Sequence, residues 1–412
     1  MTRTTTLLTA AALGLLLGAS ACENDQLSRP FSTVPIDPLF ARYVSMGNSI
    51  TAGFQSGGLN DSTQLQSYAV LLARAMRSPF FIPAMAKPGC PPPYTNVFTR
   101  TRLTPPGYPV STDSSCYLRA IPRIPPPYIS NTAVPGAEVL DIYNNLDPAS
   151  NANALTTFFL GGLTQAQMLQ RADPTFVTVW IGNNDVLGAV LDTANAGDTT
   201  QITDTALFTQ RYTALLDSVD ATRASGKGVL IGVANVTLIP YASKGDVYFF
   251  IKVGTTNFPA NFQVAANCAP DTLGGQGTTT LVPFPHGLGL IGLATADPGN
   301  TYTLDCNVPQ VIVPAERTRL IAAVTACNTF IAAQATARGY AYVDPNALFS
   351  ALPAGAIPSF PNTTGADAVN RPFGDYFSRD GVHPSALAHR LIANTLTQVI
   401  NAEYTTTLPP VP

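Results

Sequence analysis

Charge is scarce in this chain. Asp, Glu, Lys and Arg make up 11% of its 412 residues, less than half the roughly 25% of an ordinary soluble domain. The 22 basic and 25 acidic side chains leave a net charge of −3, and the basic ones form no cluster. A nucleic-acid partner requires Lys and Arg gathered on one surface, so none is expected. Histidine and tryptophan are few, at three and one. Six cysteines are present but no Cys-x-x-Cys, and His286, His383 and His389 do not stand at ligand spacing from any cysteine. No metal and no cofactor is therefore expected. Internal repeats are absent. Apart from the amino terminus, no run reads as long and apolar enough to cross a membrane. What is plentiful is apolar content, 46%, enough to build a sizeable core.

The amino terminus reads as a targeting segment. Arg3 precedes an uncharged apolar stretch over residues 7–18, and the small residues Ala19, Ser20 and Ala21 lead directly to Cys22. The stretch falls short of the about 20 residues that a bilayer span needs, which fits a signal peptide removed on export. Residues 1–21 are read as that peptide, and residues 22–39, polar and proline-bearing, as a tether. The cysteine after small residues resembles the lipobox of bacterial lipoproteins, with Ala19 where leucine is usual. That resemblance implies lipidation of Cys22, a membrane anchor, and residence at the outer membrane or cell surface. A plain secretory signal, giving a secreted or periplasmic protein, is the alternative. An exported chain meets an oxidising compartment. Cys90 with Cys116, and Cys268 with Cys306, are the natural disulfide pairs, because each falls within one irregular segment; spacing alone leaves other connectivities open. Cys327, on the apolar face of an expected helix, reads as a buried free thiol.

Periodicity predicts strands over residues 40–46, 80–82, 176–181, 228–236 and 340–343. It predicts helices over 65–75 and 137–143, from 204 to about 226, from 314 to 339 and from 384 to 399. Nearly continuous apolar strands alternating with amphipathic helices imply an α/β fold, with a parallel sheet covered on both faces. Two stretches break the pattern. Residues 87–130 are proline-dense, and residues 238–313 are rich in Gly, Thr and Pro. Both read as long irregular insertions, a kind usually functional or else disordered. One domain over residues 40–405 is expected, as a monomer.

The first strand ends abruptly at Gly47-Asn48-Ser49. That delivers a serine to the carboxyl edge of a parallel sheet, where ligands of open α/β folds sit. Far downstream, Asp380-Gly381-Val382-His383-Pro384 supplies a carboxylate and an imidazole. A serine hydroxyl is a weak nucleophile until a base removes its proton, and the base needs a carboxylate to fix its tautomer. Four segments, in order, resemble the four blocks of the GDSL, or SGNH, hydrolases: residues 47–53, residues 131–137 (Asn131 to Ala137), Gly182-Asn183-Asn184-Asp185, and residues 380–384. The resemblance covers roughly residues 40 to 402.

That resemblance implies a flavodoxin-like three-layer α/β/α sandwich with a central five-stranded parallel sheet. It implies Ser49 as nucleophile, His383 as general base and Asp380 as its orienting carboxylate, with Asp344, Asp375 and Asp185 as fallback carboxylates. It assigns the oxyanion donors to the Ser49 and Gly136 backbone N–H groups and the Asn184 side-chain amide. Asp185 reads as structural. The family carries Asp where this chain has Asn48. The implied activity is hydrolysis of lipid or short-chain acyl esters through an acyl-Ser49 intermediate, needing no cofactor, with the insertions as an acyl-binding wall. The alternatives are a carbohydrate deacetylase, with Tyr248, Phe249 and Phe250 as sugar-stacking rings, and a non-catalytic glycan- or partner-binding lipoprotein. His389 reads as a surface residue and His286 as a pocket-lining one. If the lipobox reading holds, Cys22→Ala moves the protein from the membrane to the soluble fraction; unchanged membrane association in a fractionation experiment rejects it.

Overall fold

The computed structural model describes residues 35–117, 127–254 and 258–412. The expected signal peptide, Cys22 and most of the tether lie outside these residues. The central sheet has four parallel strands: β1 (Tyr43–Gly47), β2 (Phe176–Trp180), β3 (Gly228–Ile231) and β4 (Ala341–Val343), in the order β1-β2-β3-β4. In register, Gly47 stands beside Trp180, and Trp180 beside Ile231. The helices that bear on the site are α1 (Ser49–Ala52), α2 (Tyr68–Met76), α3 (Asn184–Leu191), α4 (Thr205–Asp220), α5 (Phe284–Ala296), α6 (Pro314–Arg338), α7 (Pro345–Ala351) and α8 (Ala386–Tyr404).

The fifth strand expected at residues 80–82 does not form. Pro79 and Pro83 bracket that run, and proline cannot donate to a sheet ladder. The chain just before Gly136 takes the place beside β1 instead. Ser45 N donates to Ser130 O at 2.8 Å, and Thr132 N donates to Ser45 O at 2.9 Å. This is a single parallel bridge, at Asn131, rather than a full strand. Phe81 O accepts from Ser130 N at 2.8 Å, so the proline-bracketed run lies one chain further out.

Side chains alternate across a strand, and the sheet divides accordingly. Val44, Met46, Val177, Val179 and Leu230 pack with Phe208, Tyr212 and Leu215 of α4 and Leu320 and Val324 of α6. Tyr43, Phe176, Trp180, Val229 and Ile231 pack on the other face with Leu72 of α2 and Leu396 and Ile400 of α8. Each such side chain, fully buried, contributes roughly 1.5–3 kcal/mol, which makes the sheet a stiff platform for its loops. Helix α6 is long and apolar enough, by composition, to cross a bilayer, a run the sequence reading did not single out. It buries one stripe, from Leu320 to Ala335, and leaves most of its apolar window outside the core.

The insertions are better built than their composition suggests. Within the first, strands Tyr94–Asn96 and Thr101–Arg102 pair, and Cys90 is bonded to Cys116. The second carries the strand pairs Ala242–Lys244 with Leu281–Pro283 and Phe262–Val264 with Tyr302–Leu304, besides α5. It has a small core of its own around Tyr248, Phe262, Val282 and Leu304, which includes the bonded pair Cys268 and Cys306. Three-residue strands carry too little alternation to be read from sequence, and the disulfide supplies closure that a core of this size lacks. Cys327 is free and buried.

The first described residues and the carboxyl-terminal ones are held against the domain. Ile36 N donates to Met76 O at 3.0 Å. At the other end, Leu408 and Val411 are buried, and Asn401 and Asn394 of α8 bond to the backbone of those two residues.

His389, expected at the surface, is fully buried. It lies on the face of α8 turned to α2, where its Nδ1 accepts from Tyr68 N at 3.2 Å. Burial, with a smaller contribution from nearby His383, pushes its pKa down from 6.5 to about 3. The native state keeps His389 neutral, whereas the unfolded chain takes up its proton near pH 6.5. The neutral form's contribution to stability is complete above that value and is lost as pH falls toward 3, by up to about 1.4 kcal/mol per pH unit. Asn in place of His389 retains an acceptor for Tyr68 N without the titration. A melting-temperature series from pH 7 to 4 should therefore fall less steeply for His389→Asn than for the wild type. Equal slopes would assign the acid loss to other groups.

Candidate active site

The site begins where β1 must stop. A β-carbon on Gly47 would stand 2.4 Å from Trp180 O and 2.4 Å from Thr51 Oγ1, so the chain can turn here only without a side chain. Gln165, fully buried, grips the turn from both sides: Gly47 N donates to its Oε1 at 2.9 Å, and its Nε2 donates to Gly47 O at 2.8 Å. Asn48 caps α1, its Oδ1 accepting from Ile50 N at 3.1 Å. The Asn48 Nδ2 is buried and has no partner among the described residues. An Asp here would bring an acceptor to that spot in place of a donor. Ser49 follows as the first residue of α1.

The loop before α8 comes to meet it. Ser49 Oγ and His383 Nε2 are 2.9 Å apart, and His383 Nδ1 lies 2.9 Å from Asp380 Oδ2. Asp380 is buried and surrounded by donors. Its Oδ1 accepts from Ser378 Oγ and from the N–H groups of Val382 and His383, and its Oδ2 also accepts from Gly57 N at 2.6 Å. Burial alone would raise the pKa of this carboxyl. The His383 ring and the backbone donors more than offset that and hold it down to about 2. With Asp380 ionised, the imidazole proton belongs on Nδ1, and Nε2 is left to accept from Ser49. The Phe54 ring, 4.9 Å from the His383 ring centroid to centroid, backs the imidazole.

Asn184 lines the same cavity as Ser49, and Gly136 sits on the segment bonded to the end of β1 by Val134 N donating to Gly47 O at 3.2 Å. The backbone N–H groups of Ser49 and Gly136 find no acceptor among the described residues. Gly136 has φ +86° and is exposed, a left-handed conformation that glycine adopts at no steric cost. Asn184 opens α3 and spends one amide hydrogen on Ala137 O at 2.8 Å, which fixes its side chain to the Gly136 turn. Asp185 accepts from Val139 N at 3.1 Å and ties down the same segment. Burial, then the charge of Glu138, pushes Asp185 up to about 7. The other fallback carboxylates are occupied elsewhere: Asp344 caps α7, and Asp375 pairs with Arg371.

Two cavities flank His383. The narrower, about 100 Å³, is lined by Ser49, Asn184 and His383 and otherwise almost wholly by carbon, from α3, α7 and α8 and from the loops after β3 and before α8. The wider, about 710 Å³, touches His383, Asp380 and Gly57 but not Ser49. Both insertions line the wider cavity, through Tyr94 and Phe98 of the first and Tyr241 and Phe284 of the second. Tyr248, a candidate sugar-stacking ring in the sequence, is buried in the insertion core instead; Phe250 is exposed, and neither it nor Phe249 lines either cavity. His286 also lines neither. Among the described residues, no group of three or more His, Cys, Asp or Glu converges to hold a metal ion.

Several positioning residues escaped the sequence reading. Gln165 acts on a backbone 118 residues away, and as a polar residue opening a helix it carries no signal of that task. Gly57 and Ser378 bond the Asp380 carboxylate, and nothing in their neighbours marks them.

No family model matches the chain, and no curated protein matches it. Among solved structures, it is similar to a catalytic mutant of an acetylxylan esterase from Geobacillus stearothermophilus. The two are 11% identical over 87% of this chain and 93% of the other, with a TM-score of 0.35. It is also similar to a protein from Slackia heliotrinireducens named as a candidate SGNH hydrolase, 13% identical over 87% of this chain and 98% of the other, with a TM-score of 0.32. Likeness at this level assigns no family and no substrate.

The placement of Asn184 makes a testable demand. If the Asn184 amide is an oxyanion donor, a group whose removal costs roughly 10²–10³ in kcat, Asn184→Ala should lose about that much on any ester the wild type hydrolyses, with KM nearly unchanged. A loss carried by KM instead would make the amide a substrate-binding group.

Proposed function

We propose that this chain is a serine ester hydrolase of the SGNH type. The observation that carries the reading is the continuous hydrogen-bonded line Ser49–His383–Asp380 beside unengaged N–H donors. A buried ionised carboxylate, an imidazole with its basic nitrogen free, and a serine hydroxyl in one line form the arrangement that activates a serine for acyl transfer.

Ser49 Oγ attacks the ester carbonyl carbon as His383 Nε2 takes its proton. The carbonyl oxygen, now negative, is received by the N–H groups of Ser49 and Gly136 and by the Asn184 amide. The bond to the alcohol oxygen then breaks, and the imidazolium returns the proton to that oxygen. Water repeats the sequence on the acyl-Ser49 ester: His383 removes its proton, the Oγ–acyl bond breaks with Oγ reprotonated, and a carboxylic acid leaves. Asp380 stays ionised throughout and balances the transient positive charge.

The proposed substrates are lipid or short-chain acyl esters, and the proposed setting is a monomeric, lipid-anchored protein exported by its amino-terminal segment, with the plain secreted or periplasmic form as alternative. A carbohydrate deacetylase is the second reading. What favours it is the wide aromatic-walled cavity beside His383, broad enough for sugar rings.

The test is hydrolysis of 4-nitrophenyl esters by the full-length protein, beside Ser49→Ala. The wild type should release nitrophenol, and the variant should lose at least about 10⁴-fold in kcat while melting at the same temperature. Equal rates in both would remove Ser49 as the nucleophile. Silence from both, with folded protein, would remove ester hydrolysis.

A further inference from the structure

The two cavities that share His383 differ in size, in lining and in which site residues they reach: Ser49 for one, Asp380 for the other. From this we infer a division of the ester: its acyl part is an apolar chain longer than acetyl, bound in the narrow cavity, and its alcohol is a bulky, ring-sized group bound in the wide one. The inference rests on the proposed serine ester hydrolysis and assigns its substrate class.

The assignment follows from the order of bond making and breaking. After the first half-reaction the acyl group is bonded to Ser49 Oγ, so it must lie in the space that opens on Ser49. Of the two, the narrow cavity does. The alcohol oxygen receives its proton from His383 Nε2, so the alcohol must lie in space that opens on His383 and leads away from Ser49. The wide cavity reaches His383, Asp380 and Gly57 and has no wall at Ser49. Asn184, placed to meet the oxyanion, stands at the narrow cavity, which orients the carbonyl with its acyl substituent inward.

The walls match the two halves in chemistry. Leu187, Ile239, Leu348, Leu352 and Leu391, with the rings of Phe349 and Phe377, give the narrow cavity an apolar lining. An acetyl group would leave most of that surface wet, whereas each further methylene buried there favours the transition state about fourfold. The wide cavity presents Tyr94, Phe98, Tyr241 and Phe284 with Arg100, which suits a flat ring bearing polar edges better than a chain. The insertions, read from sequence as an acyl wall, thereby become chiefly the alcohol side, the second giving Ile239 to the narrow cavity.

Both halves can be read separately on the full-length protein. For the acyl side, kcat/KM is measured on 4-nitrophenyl esters from acetate to decanoate. It should rise about fourfold per methylene until the chain fills the cavity of about 100 Å³, and level off beyond that. Leu352→Trp and Leu348→Trp, which fill the narrow cavity, should lower the octanoate-to-acetate ratio at least about tenfold. Should the tryptophan variants misfold, Leu352→Ala reads the same wall by moving the optimum to longer chains. For the alcohol side, acid release is followed from methyl octanoate and 6-O-octanoylglucose. Phe98→Ala and Phe284→Ala should lower the preference for the glucose ester without moving the chain-length optimum. An acetate optimum that the narrow-cavity variants leave in place, with hydrolysis still dependent on Ser49, overturns the division but keeps the esterase. Crossed effects, in which the phenylalanine variants shift chain length and the leucine variants shift alcohol preference, reverse the assignment. Absence of any Ser49-dependent hydrolysis removes both.

Discussion

The end of β1 approaches β2 so closely that Gly47 has no room for a β-carbon, and the position of Ser49 follows from that crowding. A chain that can neither continue as strand nor carry a side chain turns sharply into α1, which raises Ser49 above the carboxyl edge of the sheet. The turn is then over-determined by its neighbours. Gln165 holds both polar atoms of Gly47. Asn131 Nδ2 donates to Thr51 O at 2.9 Å, and Val134 N to Gly47 O at 3.2 Å. The segment that carries Gly136 is therefore bonded to the same few residues that position Ser49, and the two are set by a single packed corner.

Asp380 and Asp185 show how the protein treats two buried carboxyls. Burying a carboxylate costs several kcal/mol unless donors compensate. Asp380 is given donors on both oxygens and is held ionised, with its pKa down to about 2. Asp185 accepts one backbone N–H, faces the charge of Glu138, and is pushed up to about 7; its second oxygen has no partner among the described residues. The first must stay charged to orient and balance His383. The second braces a loop, a task that a neutral carboxyl performs as well.

The parts of this arrangement that announce themselves in sequence are those made by local chemistry. An apolar strand broken at Gly47, a histidine three positions after an aspartate and a stripe of Phe208, Tyr212 and Leu215 all declare their roles within a few residues. The sandwich and its parallel sheet follow from such patterns. What was illegible depends on contacts between distant residues. The edge beside β1 goes to residues around Asn131 because two prolines disqualify residues 80–82, and only the fold shows which chain fills the gap. His389 looks like a polar residue on a surface helix until α2 covers it. The insertion around Cys268 and Cys306 looked irregular because its strands are only three residues long, too short for alternation to register. Gln165 has no local signal at all.

The His383 imidazole stands as a common wall of two cavities. On the proposed reading, departure of the alcohol would empty the wide cavity while the acyl group stayed bonded to Ser49, and the vacated space would be the route by which water enters.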